Sequence, residues 1–468
     1  VRVLLINPYY GEEFHPFFPL GLGYIATALL KEGHNVKVSD FNVHQLGQAE
    51  LTAQFTESEY DIIGITGMVR GYQYLIKLIP FIKKIQPQAH LILGGSLATA
   101  VPEFLLQKFD IDFIVIGEGE ETVVELVQCL ENDGDPAKIR GLLYKQNGKA
   151  IATPERGFCA HPDKFGFPAW EIFPMESYKK SPIYDYVNPK YDNEQARYIG
   201  IISSRGCCYR CNYCDHRIKG YTIRARSLAK VLKEIKFLMK RYNIKNFYFW
   251  DDIFTVNKKR VINFCQMLKA EGINISWTCN GHVNLSDYDM YREMKKAGCF
   301  SIRFGIESGS QRMLDAYNKN VKVEQATRAI RQACRAGLVP ILYFMVGMIG
   351  ETEETIEETV NFLDETYKPL DLNSSSPIME FFYLNPIPGT PLFNQAQALG
   401  KISSLEKYLE NYPNFTQSFG INLTDIPDTL FLKLKDEMRE KINKSFGDKY
   451  NRYQSIISEL ASESGIKK

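Results

Sequence analysis

The chain alternates apolar runs of strand length with amphipathic stretches of helix length, and it does so twice. The first series opens with Val1–Asn7, halted by Pro8, and continues through His34–Asp40, Tyr60–Thr66, His90–Leu93 and Phe113–Ile116. Gly21–Leu30, Gln73–Lys84 and Glu121–Glu131 carry helical patterning between them. Such near-continuous apolar strands read as buried in a parallel sheet, and about 130 residues of this alternation predict a doubly wound α/β domain. In such sheets ligands lie beyond the carboxyl ends of the strands. Those ends carry Pro8, Tyr9 and Tyr10, then Thr66, Gly67 and Met68, then Gly94, Gly95 and Ser96, and finally Gly117, Glu118, Gly119 and Glu120. Glycines there let the backbone approach a large flat ligand closely. No G-x-G-x-x-G follows the first strand, which counts against a dinucleotide.

The second series begins at Tyr198 with a longer period. Its strands read as Tyr198–Ser203, Asn246–Trp250, Ile275–Cys279, Phe300–Gly305, Ile341–Val346 and Glu380–Leu384. Helical patterns fall between them at Leu228–Tyr242, Lys258–Glu271, Asp287–Ala297, Val323–Ala336 and Glu354–Tyr367. Six βα units suit an open partial barrel, whose chemistry belongs at the C-terminal ends of the strands. Directly after the first of these strands comes Gly206–Cys214, with Cys207, Cys211 and Cys214 in a CxxxCxxC spacing. Iron–sulfur clusters are usually held by four Cys thiolates. Three thiolates leave one iron of a cubane open to a small molecule. Zinc is the alternative, with His216 as fourth ligand, and a frame through Cys208 would read CxxCxxC instead.

The loop resembles the cluster motif of the radical S-adenosylmethionine (SAM) enzymes, Tyr213 before the last Cys included, and only the frame starting at Cys207 gives that spacing. The N-P…P-L-G-L-G-Y, G-G-S and G-E-G-E-E-T stretches are similar to the cobalamin-binding domain of cobalamin-dependent radical SAM enzymes, the methyltransferase-like class B family. This resemblance spans nearly the whole chain. It implies a Rossmann-like cobalamin-binding domain over 1–145, a linker over 146–196, a partial (β/α)6 barrel over 197–393 and a small, mainly helical cap over 394–468. It implies a 4Fe-4S cluster on Cys207, Cys211 and Cys214, and SAM contacts from Tyr213, Asp251, Asp252, Asn280, Glu307 and Ser308. Cobalamin is expected at the strand ends of the first domain, from Pro8 and Tyr9 to Glu118 and Glu120. Gly305-Ile306-Glu307-Ser308 matches the family's G-x-E-S, and Pro386–Phe393 its P-G-T-P-L turn. Gly347-Met348-Ile349-Gly350-Glu351-Thr352 is similar to G-x-P-G-E-T, with Ile349 where Pro is usual. As structural alternatives, Glu307 caps a helix, and Asp251 and Asp252 serve as N-caps.

The implied reaction removes hydrogen from an unactivated carbon with a 5′-deoxyadenosyl radical and delivers a methyl group from methylcobalamin. Cyclisation, rearrangement or oxidation with the same cofactors is the nearest rival, and a radical SAM enzyme without cobalamin the next. An external one-electron reductant such as flavodoxin or ferredoxin is implied as partner. Asn42-Val43-His44 echoes the D-x-H-x-x-G loop of other cobalamin proteins, but Asn replaces Asp and the stretch follows the second strand. His44 is therefore not expected to ligate cobalt.

Composition narrows the rest. A formal charge of +1 gives no electrostatic case for nucleic acid or an anionic membrane. No apolar run reaches the length of a membrane span, and no signal peptide opens the sequence. Outside the loop, Cys129, Cys159, Cys265, Cys279, Cys299 and Cys334 form no disulfide-like framework, which suits the reducing cytoplasm. An aromatic content of 13% and a near-neutral balance fit a small or lipid-like molecule, a tetrapyrrole or a peptide as substrate. In the linker, Phe165–Trp170 offers aromatic anchors across the domain junction, and Tyr178, Tyr184, Tyr186 and Tyr191 are packing residues or line a substrate route. Pro427-Asp428 is expected to open a helix with Phe431, Leu434, Met438 and Ile442 on one face.

Overall fold

A computed structural model of the chain describes residues 1–11, 14, 16–43, 52, 55, 56, 58–180, 198–367, 378–413 and 419–446. The first sheet comprises β1 (Arg2–Asn7), β2 (Asn35–Asp40), β3 (Ile62–Thr66), β4 (His90–Gly94), β5 (Phe113–Val115), β6 (Leu142–Gln146) and β7 (Lys149–Ala152). They hydrogen-bond in the order β2-β1-β3-β4-β5-β6-β7. β1 to β5 pair in parallel. This is a doubly wound order with its switch point between β1 and β3. Both faces of β1 are apolar because both are covered. Val3 and Leu5 pack in the core with Leu22 and Ala26 of helix α1 (Leu20–Lys31). Leu4 and Ile6 pack with Leu75 and Ile79 of α2 (Tyr72–Ile85).

The sheet runs past the boundary expected at residue 145. β6 and β7 form an antiparallel hairpin on β5. Asn147 and Gly148, between them, have φ of 52° and 77°. Two positive φ values in a two-residue loop are the turn that Asn-Gly favours. In a stretch rich in Gly and Pro that dipeptide reads as linker, since the strands beside it are short.

The second sheet contains β8 (Ile199–Ile201), β11 (Asn246–Phe249), β12 (Ser276–Gly281), β13 (Cys299–Glu307), β14 (Val339–Val346) and β15 (Ile378–Tyr383). β9 (Ser204–Arg205) and β10 (Arg224–Ala225) form a separate antiparallel pair. The six strands are parallel in the order β15-β14-β13-β12-β11-β8. β8 and β15 stand at the two edges, so the barrel is open. Strand alternation sorts the side chains. Tyr198, Tyr248, Ile341 and Tyr343 gather in the lumen. Ile199, Phe247, Phe249, Leu342 and Phe344 face the surrounding helices.

The segment between the sheets ties them together. Thr27 Oγ1 donates to the Phe167 carbonyl (2.9 Å), and the Ala169 N–H donates to that of Gly23 (3.1 Å). Trp170 lies 4.0 Å from the Phe18 ring and donates its indole N–H to Glu234 (3.2 Å) on the helix Leu228–Tyr242. Glu234 also takes the buried guanidinium of Arg226 at 2.6 Å. One hydrophobic cluster runs from Val3 and Leu5 through Trp170 to Phe247, Ile302 and Phe344, so the two sheets share a core. Tyr178 is fully buried and donates to Asp40 (2.6 Å), a packing role. Tyr184, Tyr186, Tyr191 and His44 lie outside the described residues.

The C-terminal region begins its last helix at Asp428, and Phe431 is buried against Tyr383 and Phe419. Leu434 packs on the shared core, while the side chains of Met438 and Ile442 lie outside the described ones. The short helix Leu405–Glu410 returns to the first domain, where Leu409 is buried in the core beneath α2. Among the described residues no helix is long and apolar enough to cross a membrane.

Candidate functional site

The loop between β9 and β10 carries all three predicted cluster ligands. Gly206 starts it with φ of 98°, a conformation open to glycine. Cys211 is buried, Cys207 and Cys214 are half-buried, and Cys208 is exposed. The loop backbone is pinned from outside. The Asn212 N–H donates to the Tyr317 carbonyl (3.0 Å), and the Asn212 carbonyl accepts from Leu392 N–H (3.0 Å). Asn212 Nδ2 donates to Ala316 O (2.8 Å), and Asn318 Nδ2 to Arg210 O (2.6 Å). None of the ten cysteines forms a disulfide.

Three thiol donors on one braced loop fit a cubane with an open iron. The zinc alternative needs His216 as fourth ligand. The His216 ring nitrogen Nε2 lies 3.1 Å from the Cys211 carbonyl, and the ring stacks on Tyr221. Among the described residues no three His, Cys, Asp or Glu side chains converge as ligands of a single ion.

Beside the loop, Glu307 ends β13 in left-handed backbone, φ 69°, at an irregularity in the pairing with β14. A non-glycine residue held there carries strain of the kind that collects at functional sites. Its Oε1 accepts from the Tyr213 hydroxyl (2.9 Å) and from Lys319 Nζ (2.6 Å). Lys319 Nζ also donates to Tyr213 Oη (3.1 Å). Burial acts to lower the lysine pKa, but the charges of Glu307 and Cys211 outweigh it and raise it. A Cβ on Gly305 would fall 2.3 Å from Glu307 Oε1, so this carboxylate position requires glycine there. Sequence reasoning names Tyr213 and Glu307 but misses Lys319. Its signal is the Asn-Lys-Asn triplet, since Asn318 and Asn320 both take positive φ (53° and 56°) and bend the chain around it.

Three other expected SAM contacts are hydrogen-bonded into the walls. Asp251 is buried and accepts from the Ser203 N–H, the Ser203 hydroxyl and the Ser204 hydroxyl, each at 2.6 Å. Burial pushes its carboxyl up, against those hydrogen bonds. Asn280 donates to the Asp251 carbonyl (2.9 Å) and accepts from Tyr248 (2.7 Å). Ser308 meets Thr359 (3.2 Å) and accepts from the Ser310 N–H (3.1 Å). Asp252 lines the central cavity beside Trp250. After β14, Gly347 (φ 100°) donates its N–H to Glu351 at 2.5 Å, and burial pushes that carboxyl up to about 7.

The cavity, about 310 Å³, lies between the sheets. The first domain contributes Thr66, Gly94, Gly95 and the run Gly117, Glu118, Gly119 and Glu120. The barrel contributes Ser204, Arg205, Gly206, Trp250 and Asp252. A Cβ built on Gly21 or Gly117 meets nothing within 4 Å, and one on Gly94 nothing closer than 3.9 Å. These glycines leave open a cradle that side chains would fill, as a broad ring such as a corrin needs. Gly95 is required for packing, because at φ 90° its Cβ would lie 2.8 Å from the Gly67 carbonyl. Pro8, Tyr9, Gly67, Met68 and Ser96 do not line the cavity. Pro8 accepts from Asn42 (2.8 Å), Tyr9 packs on Tyr74, Ser96 donates to the Gly67 carbonyl (3.4 Å), and the Gly67 N–H donates to the Gly94 carbonyl at the end of β4 (2.8 Å).

Comparison with known proteins agrees with both halves. The profile of the Radical SAM superfamily matches residues 201–363, and that of the B12 binding domain matches residues 13–127. An uncharacterized methyltransferase, PH0819, of Pyrococcus horikoshii is 32% identical over 81% of this chain and 78% of its own length. The anaerobic magnesium-protoporphyrin IX monomethyl ester cyclase of Rubrivivax gelatinosus is 28% identical over 87% of this chain and 72% of its own. In fold, the chain is similar to the cobalamin-dependent SAM radical enzyme OxsB, solved with aqua-cobalamin and SAM bound. The TM-score is 0.75 at 19% identity, covering 99% of this chain and 71% of that one.

Proposed function

Because the chain belongs to the cobalamin-dependent radical SAM enzymes, in their methyltransferase-like family, we propose that it methylates an unactivated carbon of an organic substrate. One observation carries the reading: a single cavity joins the glycine cradle of the first sheet to the strand ends flanking the three-cysteine loop. When bound, the 4Fe-4S cluster and SAM supply a 5′-deoxyadenosyl radical for hydrogen removal, and cobalamin supplies the methyl group.

The chain's own residues bind, orient and shield. Cys207, Cys211 and Cys214 hold the cluster. Lys319 pairs with the SAM carboxylate, while Glu307 and Tyr213 receive its amino group, in place of part of the hydrogen bonding they make to one another. Asp252 accepts from ribose hydroxyls. Gly21, Gly94 and Gly117 seat the corrin, with Thr66 at the switch point. Asp251, Asn280 and Ser308 act through the backbone they brace. Homolytic chemistry needs no acid–base pair, and apolar Ile202 and Trp250 help keep water from the reacting carbon. An electron carrier of the flavodoxin or ferredoxin class supplies the electron, and a reducing cytoplasm suits the free thiols. The substrate is a small or lipid-like molecule, a tetrapyrrole or a peptide.

The test is direct. Protein purified with cobalamin available and reconstituted anaerobically shows a corrinoid absorption band and cleaves SAM reductively to 5′-deoxyadenosine. Label from methyl-labelled SAM passes to the corrinoid, and Cys211→Ala abolishes cleavage. Absence of the corrinoid band sinks the proposal. The cyclase relative favours a second reading, ring formation with the same cofactors, and a product without the labelled methyl group decides for it.

A further inference from the structure

The acidic loop Gly117–Glu120 borders the corrin cradle, yet its carboxylates face protein cations. Arg205 Nη1 reaches Glu118 at 3.1 Å, and its Nη2 reaches Glu120 at 2.6 Å. Arg224 Nη1 contacts both oxygens of Glu118, at 2.7 and 2.9 Å. These side chains are largely shielded: 15% exposed for Arg205, 13% for Glu118 and 6% for Glu120 and Arg224. The guanidinium of Arg205 also lies over the rings of Tyr24 (4.8 Å) and Phe165 (5.4 Å), and that of Arg224 over Phe158 (4.7 Å). The Cys159 N–H donates to the second oxygen of Glu118 (2.9 Å).

The place of these two arginines in the chain matters most. Arg205 and Arg224 are register partners in the β9–β10 pair. They stand at the two feet of the loop that holds Cys207, Cys211 and Cys214. Two like charges opposite one another across a strand pair repel. Glu118 joins both, so the cluster loop closes at its base on a carboxylate from the other domain.

We propose that Arg205, Arg224 and Glu118 are positioning residues that set the distance between the cluster and the cobalamin. The inference rests on the two-cofactor reading above. A guanidinium fork binding two carboxylates fixes direction as well as separation, which an ammonium does not. The corrin-side loop and the cluster loop therefore move as one unit, and the gap in which a carbon radical must meet a methyl donor is held constant.

Pulsed-EPR dipolar measurement between cob(II)alamin and the reduced cluster tests this in the holoprotein, with optical spectra and iron content reporting loading. In Glu118→Gln and Arg205→Lys both centres load as in the wild type, and the distance distribution at least doubles in width or shifts. Glu120→Gln, which weakens one arm of the fork, gives a smaller change and serves if the others fold poorly. A distribution unchanged in all three variants overturns the inference, whether or not Tm falls, because a merely structural ion pair lowers Tm without moving the centres. Loss of cobalamin from Glu118→Gln with the cluster intact overturns it too, marking Glu118 as a direct cofactor contact. A wild-type protein that takes up no corrinoid fails earlier, at the two-cofactor reading, and takes this inference with it.

Discussion

Cys207 and Cys208 are neighbours with opposite surroundings, and that difference bears on which frame of the cysteine motif operates. Cys207 is half-buried at the root of the loop, its N–H bonded to the Gly220 carbonyl (3.1 Å), whereas Cys208 faces solvent. Cys208→Ala should retain a full complement of iron and sulfide, and Cys207→Ala should lose the cluster, as read by iron assay and visible absorbance after anaerobic reconstitution. Lys319 is the second decisive residue. Its ion pair with Glu307 is more than nine-tenths buried on both sides. Removing one partner of a buried pair costs about 3–5 kcal/mol, so Lys319→Met should lower the denaturation midpoint and weaken SAM binding in equilibrium dialysis, with Lys319→Arg intermediate. Tyr213 and Glu307 were legible because the motifs name their positions. Lys319 was not, since a lysine in an exposed-looking polar turn differs from any surface lysine only once the turn folds back on the cluster loop.

At the scale of elements, apolar runs were the dependable signal. A strand buried on both faces has no polar side to disguise it, so β1, β3 and β11 to β14 lie where the sequence periodicity puts them. The hairpin of β6 and β7 escaped notice because its stability comes from pairing with β5, which local sequence does not record. The hydrogen bonding of Asp251, Asn280 and Ser308 into the walls was hidden similarly, because a motif locates a side chain without telling which way it points. The junction of β8 and β11 gives an element-scale prediction. A Cβ on Gly200 would fall 2.1 Å from Trp250 Nε1. Gly200→Ala should displace the indole from its stack on Tyr248 (4.7 Å) and cost about 1–3 kcal/mol through overpacking. Trp170 and Trp277 are fully buried, so a red shift in tryptophan emission reports on Trp250, and an unshifted spectrum would count against the displacement.

For the whole molecule, stability depends on pH through Glu351. Its carboxyl is raised to about 7 in the fold, chiefly by burial, from an ordinary value of 4.5. Between those two values the unfolded chain releases the proton while the folded chain keeps it. Stability therefore falls as pH rises through that window, by about 3 kcal/mol in all, and levels off above it. Glu351→Gln carries no such proton, so its Tm relative to the wild type should climb from pH 4.5 to 7 and then stay flat, as scanning calorimetry would register. The continuous core from Val3 through Trp170 to Phe344 has a further consequence. Swinging one sheet away from the other would pull Trp170 and Phe18 into water, so hinge-bending is a poor way to admit a guest. Among the described strands, the ring is interrupted only between β8 and β15. A frame that cannot part sorts its guests by width and shape.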